Sequence, residues 1–389
     1  MPLTYTPSST YHATPDELAI TDVTLGGSGG AANVPHEDLA DSIKYLYDQR
    51  FTDAKQSFES LTGGRATILV DDNGNWNYMA KIPKFKPSDL DSDLGSDGNY
   101  HPAFYVNTVL KDFIYVALFQ AHENSDGDLV SQPLKAVKKD TFSNHVAACA
   151  ALGTGWHMMT IHERSALSLL SLKNVGTLHG CTAAYSSHLN SGERGFPDPA
   201  GSDEIYSGSG PVEWNHDLQP FGVADLVGNY QEWANLIKIV DNKFYFPVDN
   251  YHTLAEGSWT DQGFYYYRTV ATTGDIMHSD TYGADNVFYD KAWSSVAYDA
   301  GFFALSVMST SLLCDLLIST DWSDGGAPTS PTLIASTPGL VKCKLETGTK
   351  HMTIGGSAAF NLTGADAGLG AMMPVTGATT AACRLVYIP

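Results

Sequence analysis

The chain has 389 residues, with 22 Lys and Arg against 43 Asp and Glu, a formal net charge of −21 and a 43% apolar share. That length suits two or three domains with a sizeable core, and the acidic surplus argues against binding nucleic acid or an anionic membrane, which needs clustered basic side chains. No run of about eighteen apolar residues occurs, so no membrane-inserted helix is expected.

The opening MPLTYTPSSTYHATPDELA has neither a basic head nor an apolar stretch. A secretory signal is therefore not expected, and assembly in a cytoplasm is. Residues 1–34 are rich in Thr, Ser, Gly and Pro, and Leu25–Asn33 reads as a flexible connection. We take 1–34 as an attachment segment.

A helical connector follows over 35–64. Asn33 can cap it, Pro35 suits a first turn, and Glu37 and Asp38 favour the positive end of the helix dipole. Its apolar positions are Leu39, Ile43, Tyr47, Phe51, Ala54, Phe58 and Leu61, and Gly63-Gly64 ends it. From Tyr47 the steps alternate four and three, a heptad seam. Two partners suit such a seam: the helix's own domain, or copies of the helix in a short parallel bundle. Leu39, Ile43, Tyr47, Phe51, Phe58 and Leu61 are the candidate oligomerisation residues.

Residues 65–100 form a small β-rich segment. Asp72-Asn73-Gly74-Asn75 between apolar runs predicts a hairpin turn. The Ser88–Asn99 loop carries closely spaced carboxylates, the one place where Ca²⁺ is considered; it lacks the EF-hand pattern and its terminal Glu. No other cofactor is expected. His101–Ala121 alternates like paired strands. Thr141–Leu152 has helical spacing, with Phe142, Val146, Cys149 and Ala150 on one face.

A second helix begins at Thr160, with Glu163 three residues on as a capping box, and ends at Gly176. Leu167, Leu169, Leu170 and Leu172 are its core positions. His157 and His162 are read as surface or cap-adjacent residues, not ligands. Thr177–Gly210 is a long loop region. No internal repeat is found.

The segment 210–233 reads GPVEWNHDLQPFGVADLVGNYQEW, and the chain ends CRLVYIP. Gly228-Asn229 predicts a tight turn with one positive φ. Trp233 is a candidate buried anchor, and Asp225 and Glu232 are candidate acceptors for backbone or Arg donors. This Gly-Asn turn with Glu and Trp, followed far downstream by Gly355-Gly356 and a terminal Arg384 strand, resembles the formylglycine-generating-enzyme-like branch of the C-type lectin fold. The approach to the Thr160 helix, with Trp156, resembles the same family. Tyr230-Gln231 departs from the family's usual pair, and Ala358 stands in place of a Trp.

The resemblance implies an α+β C-type lectin fold over 101–389, a small sheet and two helices carrying large loops. It makes Trp156, Asp225, Gly228, Asn229, Glu232, Trp233, Gly355, Gly356 and Arg384 the fold signature. The family's oxidases use two closely spaced C-terminal cysteines that bind copper. Here Cys149, Cys181, Cys314, Cys343 and Cys383 are scattered, with no close pair and no zinc spacing. Free, mostly buried thiols are expected, Cys383 on the last core strand. There is no Gly-x-Ser-x-Gly elbow, Walker loop or HExxH, and Trp214–Asp217 reads as a turn. No catalytic residue and no enzymatic activity are expected.

Other members of the family present variable surfaces, including receptor-binding proteins of phage tails. Ala31–Gln49 is also similar to segments of phage tail-fibre proteins that precede a helical connector. Together these imply a phage virion or tail protein, a homotrimer held to other virion proteins by its N-terminal segment and presenting its lectin-like domain to a host-surface glycan or protein. Candidate receptor-binding residues are Tyr265, Tyr266, Tyr267, Tyr289, Trp293, Phe360, Asn361, Asp366, Met372, Met373 and Thr376. Consecutive tyrosines on a strand cannot all face inward, and aromatic platforms stack on sugars or anchor interfaces. The alternatives are a purely architectural virion component, a copper-dependent formylglycine-generating oxidase, and a bacterial surface adhesin.

Overall fold

A computed structural model of the protein describes residues 34–90, 99–176, 178–201, 203–241, 243–268, 276–279, 348–356, 358, 372–375 and 379–389. The chain divides into two compact units, Met1–Ile68 and Leu69–Pro389.

The first unit contains helix α1 (Val34–Thr62). Gly63 and Gly64 stop it, with φ of 62° and 77°. The Gly64 amide donates to the Glu59 carbonyl at 2.8 Å, a C-terminal closure that only left-handed residues supply cheaply. The expected seam is unevenly covered. Phe58 is buried and Phe51 and Ala54 are half-buried, while Ile43, Tyr47 and Leu61 are exposed. The side chain of Leu39 lies outside the described residues.

Strand β1 (Ala66–Val70) carries the chain from one unit into the other. The predicted hairpin turn follows. The Asp71 carboxylate accepts from the amides of Asn73 and Asn75, and Gly74 takes φ 88°. Strand β2 (Trp76–Pro83) pairs along its length with β5 (Phe113–Ala117). The 76–83 strand therefore belongs to the same sheet as strands from 101–389. Between them come the one-turn helix α2 (Pro87–Leu90) and the short pair β3 (Tyr105–Val106) and β4 (Val109–Leu110). Residues 91–98, the centre of the expected Ca²⁺ loop, lie outside the described residues. The pair β6 (His122–Glu123) and β7 (Leu129–Val130) completes this part.

Two helices follow in the predicted places. Helix α3 (Phe142–Ala150) is capped by the Thr141 side chain. Helix α4 (Ile161–Val175) has a complete capping box: Thr160 Oγ1 accepts from the Glu163 amide at 3.2 Å, and Glu163 Oε2 accepts from the Thr160 amide at 2.8 Å. Strand β8 (Trp156–Met158) lies between them in sequence. Strand β9 (Glu232–Val240) and β10 (Lys243–Tyr245) form an antiparallel pair, joined by β11 (Asp261–Arg268), β12 (Ile276–Ser279), β13 (Thr349–Ile354) and β14 (Met372–Val375). The last strand is β15 (Leu385–Tyr387).

The fold is thus mixed α+β with open antiparallel sheets. Four strands wholly within the second unit run in the order β2-β5-β15-β8, so the chain's last strand is inserted between β5 and β8. The other sheet has the order β12-β11-β10-β9-β13-β14. One core joins both: Met79, Trp156, Met158, Trp233, Ile237, Met352 and Leu385 pack in a single buried cluster with α3 residues Phe142 and Cys149. Burying side chains of this size dominates the stability of the unit, at roughly 1.5–3 kcal/mol each. Among the described residues no helix is long and apolar enough to cross a membrane.

Candidate functional site

The signature residues meet at one buried node. Gly228 and Asn229 take φ of 74° and 55°, two consecutive left-handed residues where one was expected. The second is needed because Asn229 turns its side chain inward. Its Nδ2 donates to Gln120 Oε1 at 2.9 Å and its Oδ1 accepts from the Ile205 amide at 2.9 Å. Asn tolerates this conformation better than other residues with a Cβ. The Gly228 amide donates to the Gly355 carbonyl at 2.7 Å, so the distant Gly-Gly pair backs directly onto the turn.

Glu232 and Arg384 form the centre. Arg384 Nη2 is 2.6 Å from Glu232 Oε1 and Nε is 3.2 Å from Oε2. The remaining guanidinium donors reach the carbonyls of Ala117 (3.0 Å) and Ala224 (2.8 Å). Both side chains are fully buried. The pair is a bidentate fork whose spare donors are used by backbone, the arrangement that makes a buried charge tolerable. Arg164, on α4, stands on the other side of Glu232 with Nη1 3.9 Å from Oε2, and also donates to the Leu226 carbonyl. Burial, with Arg384 nearby, lowers the Arg164 pKa to about 10 even though Glu232 opposes this. Burial likewise pushes the Asp225 carboxyl up, against the Gly208 amide and Ser207 hydroxyl that donate to its Oδ2 at 2.8 and 2.9 Å.

Gln120 completes the node, donating to the Tyr230 carbonyl (2.7 Å) and Glu232 Oε1 (2.9 Å). Neither Gln120 nor Arg164 is distinguished by sequence pattern: Gln120 sits in an apolar run and Arg164 in a polar one, and their side-chain partners are more than 60 residues away. Trp233 is buried and donates its indole N–H to the Asp140 carbonyl at 2.9 Å. Trp156 packs at 5.1 Å against Tyr387 of the terminal strand. Glu232 and Arg384 are satisfied by one another, by Gln120 and by backbone, and the pair acts as a clamp on the terminal segment 381–384.

Three readings of single residues change. His157 and His162 are both buried, not at the surface. His157 Nε2 lies 2.8 Å from Glu163 Oε1, and the same oxygen accepts from Asn250 at 2.7 Å, because the capping glutamate faces the core. His162 Nε2 donates to the Pro247 carbonyl at 3.1 Å. Cys383 lies two residues before β15, not on the strand. The Trp214–Asp217 stretch follows the expected turn: a short 3-10 helix over Val212–Trp214 places His216 so that its Nδ1 accepts from the Val223 amide at 2.9 Å.

The candidate receptor-binding residues are not gathered in one place by the described structure. Tyr265, Tyr266 and Tyr267 lie on β11, in register with Ser279, His278 and Met277 of β12. Met372 and Met373 lie on β14, opposite Ile354 and Thr353 of β13. Three strands of the same sheet separate β11 from β14. Four inter-strand steps put them about 19 Å apart. Tyr289, Trp293, Phe360, Asn361, Asp366 and Thr376 lie outside the described residues. So do Cys314 and Cys343. Among the described residues no group of three or more His, Cys, Asp or Glu side chains is arranged to hold a metal ion.

No protein-family model matches this chain, and no curated protein matches it.

Proposed function

We propose that this chain is a phage virion or tail protein that presents a C-type lectin-like domain to a receptor on the host surface and carries out no catalysis. The single observation that carries the reading is the buried clamp of Glu232 and Arg384 on the Gly228-Asn229 turn. It joins, in three dimensions, the residues on which the resemblance to the formylglycine-generating-enzyme-like branch of the C-type lectin fold rests. The reading is supported by helices α3 and α4, the sheet that holds the terminal strand, and the absence of α-helix and ladder strand among the described residues of 178–231.

The binding surface in this reading lies on two strands of the six-stranded sheet, β11 with its three tyrosines and the edge strand β14 with its methionines. Copies associate through α1, where the seam residues Ile43, Tyr47 and Leu61 are 60%, 49% and 69% exposed. Exposed apolar side chains at that spacing favour association with other helices. A trimer would multiply weak single contacts with a glycan or protein into firm adhesion, and the N-terminal segment would attach to other virion proteins.

The test is solution mass by light scattering, on the full chain and on a chain lacking residues 1–64, together with retention of the labelled full chain on intact bacteria and on immobilised envelope glycans. A trimer that becomes monomeric on truncation, with retention only of the trimer, is expected. A monomer in both forms that is retained by neither probe overturns the reading.

A further inference from the structure

We propose that Cys149 and Cys383 are a latent disulfide pair that staples helix α3 to the terminal segment of the chain when the protein meets an oxidising environment. This does not rest on the proposed function.

Both thiols are reduced and fully buried in one core cluster. Their neighbourhood is fixed by backbone as well as by packing. Asp140 and Ala381 exchange two hydrogen bonds, Asp140 N to Ala381 O at 3.0 Å and Ala381 N to Asp140 O at 3.1 Å. That bridge lays residues 381–383 along the start of α3. His145 is one helical turn before Cys149, so their side chains share a face. His145 Nε2 lies 3.0 Å from the Ala381 carbonyl, which only accepts, so this nitrogen carries the proton. Nδ1 is then the basic nitrogen, and Cys383 Sγ donates to it at 3.2 Å. Cys149 lies one helical turn beyond His145 in the same buried cluster as Cys383, so both cysteines flank this imidazole. Two buried thiols of one cluster on either side of an imidazole base are the groups that thiol–disulfide exchange requires.

The oxidant is a small disulfide such as oxidised glutathione. Cys383 gives its proton to His145 Nδ1, and the thiolate attacks one glutathione sulfur. A mixed disulfide forms and one glutathione thiolate leaves, taking up a proton. Cys149, deprotonated in turn, attacks the Cys383 sulfur and expels the second glutathione. Two protein thiols are oxidised and one small disulfide is reduced to two thiols. Burial, and after it the Cys149 thiol, hold the Cys383 pKa well above the ordinary thiol value. Formation of the staple in the folded protein is therefore slow and waits on local opening of residues 379–389. The closed loop would run from residue 149 to residue 383, long enough for a large effect on the unfolded chain.

The experiment uses the full chain, unfolded and refolded in a glutathione redox buffer, and in parallel the native protein incubated with oxidised glutathione. Thiols are counted after denaturation, and cross-linked peptides are mapped by mass spectrometry. The refolded protein should show three of its five thiols remaining, a 149–383 linked peptide, and a thermal midpoint raised by roughly 5 °C over the reduced form. Cys149→Ala and Cys383→Ala should each abolish that peptide; because either could impair folding, the mapped peptide in the unsubstituted chain is the deciding readout. Five thiols after refolding, or a disulfide mapped to any other pair, overturns the proposal.

Discussion

Arg384 and Glu232 stand 152 residues apart in sequence and 2.6 Å apart in space, both fully buried. The contact ties the end of the chain to the start of β9, and Ala117 and Ala224 complete it through their carbonyls. Removing one charge would strand the other without water. Arg384→Met and Glu232→Gln should each destabilise the second unit by about 3–5 kcal/mol, read as a lower denaturant midpoint. The double substitution should cost less than the sum of the two. Additive losses would mean that the ion pair is not the coupling.

Glycine 228 should be the least replaceable residue of the turn. A Cβ there would run into the carbonyl of Cys181 and the amide of Thr182, at a φ of 74° that L side chains rarely adopt. Gly228→Ala is expected to cost more than about 4 kcal/mol and to give little folded protein. Gly74, at φ 88° in the β1–β2 turn, has open space around it. Gly74→Ala should cost only about 1–2 kcal/mol. Circular dichroism melts of the two variants side by side separate a steric cause from a purely conformational one.

The α4 cap gives a smaller, cleaner test. Thr160 Oγ1 accepts from the Glu163 amide and donates to Asn250 Oδ1 at 2.7 Å. Thr160→Ala should lower stability by about 1–2 kcal/mol, and Thr160→Ser should recover most of it. Equal loss in both variants would assign the effect to the methyl group's packing.

Acid should weaken the fold in two stages. Burial lowers the pKa of His122, His162 and His252 to about 4. The unfolded chain titrates these groups near 6.5, so it takes up protons that the folded chain refuses as pH falls from about 6.5 towards 4. Stability is full above that window and declines through it, by about 1.4 kcal/mol per pH unit for each fully buried histidine. The second stage belongs to carboxylates. Glu163 is lowered by His157 and its hydrogen bonds against the cost of burial, and Glu256 by its hydrogen bond with His351. Their contribution is present above the unfolded carboxylate range and is lost as pH falls through their lower folded values. Urea titrations at pH 7.5, 6, 5 and 3.5 should show both stages. His162→Gln, which can still donate to the Pro247 carbonyl, should flatten the first stage by up to one proton.

Much of the local structure was legible in the sequence because its causes are local. A threonine followed three residues later by glutamate starts α4, two glycines stop α1, and an Asp-Asn-Gly run makes the turn between Asp71 and Asn75; each acts over a few residues of backbone. The turn at 228–229, the buried Trp233 and the arginine of the last segment were also visible as residue types. What the sequence by itself could not decide was who meets whom. Only the tertiary structure placed Arg164 and Gln120 on Glu232, buried His157 against the capping glutamate, brought Cys383 and Cys149 into one buried cluster, and put three strands between β11 and β14. Those outcomes depend on strand order and on the desolvation of polar groups, which are properties of the whole packed core. No window of neighbouring residues contains them.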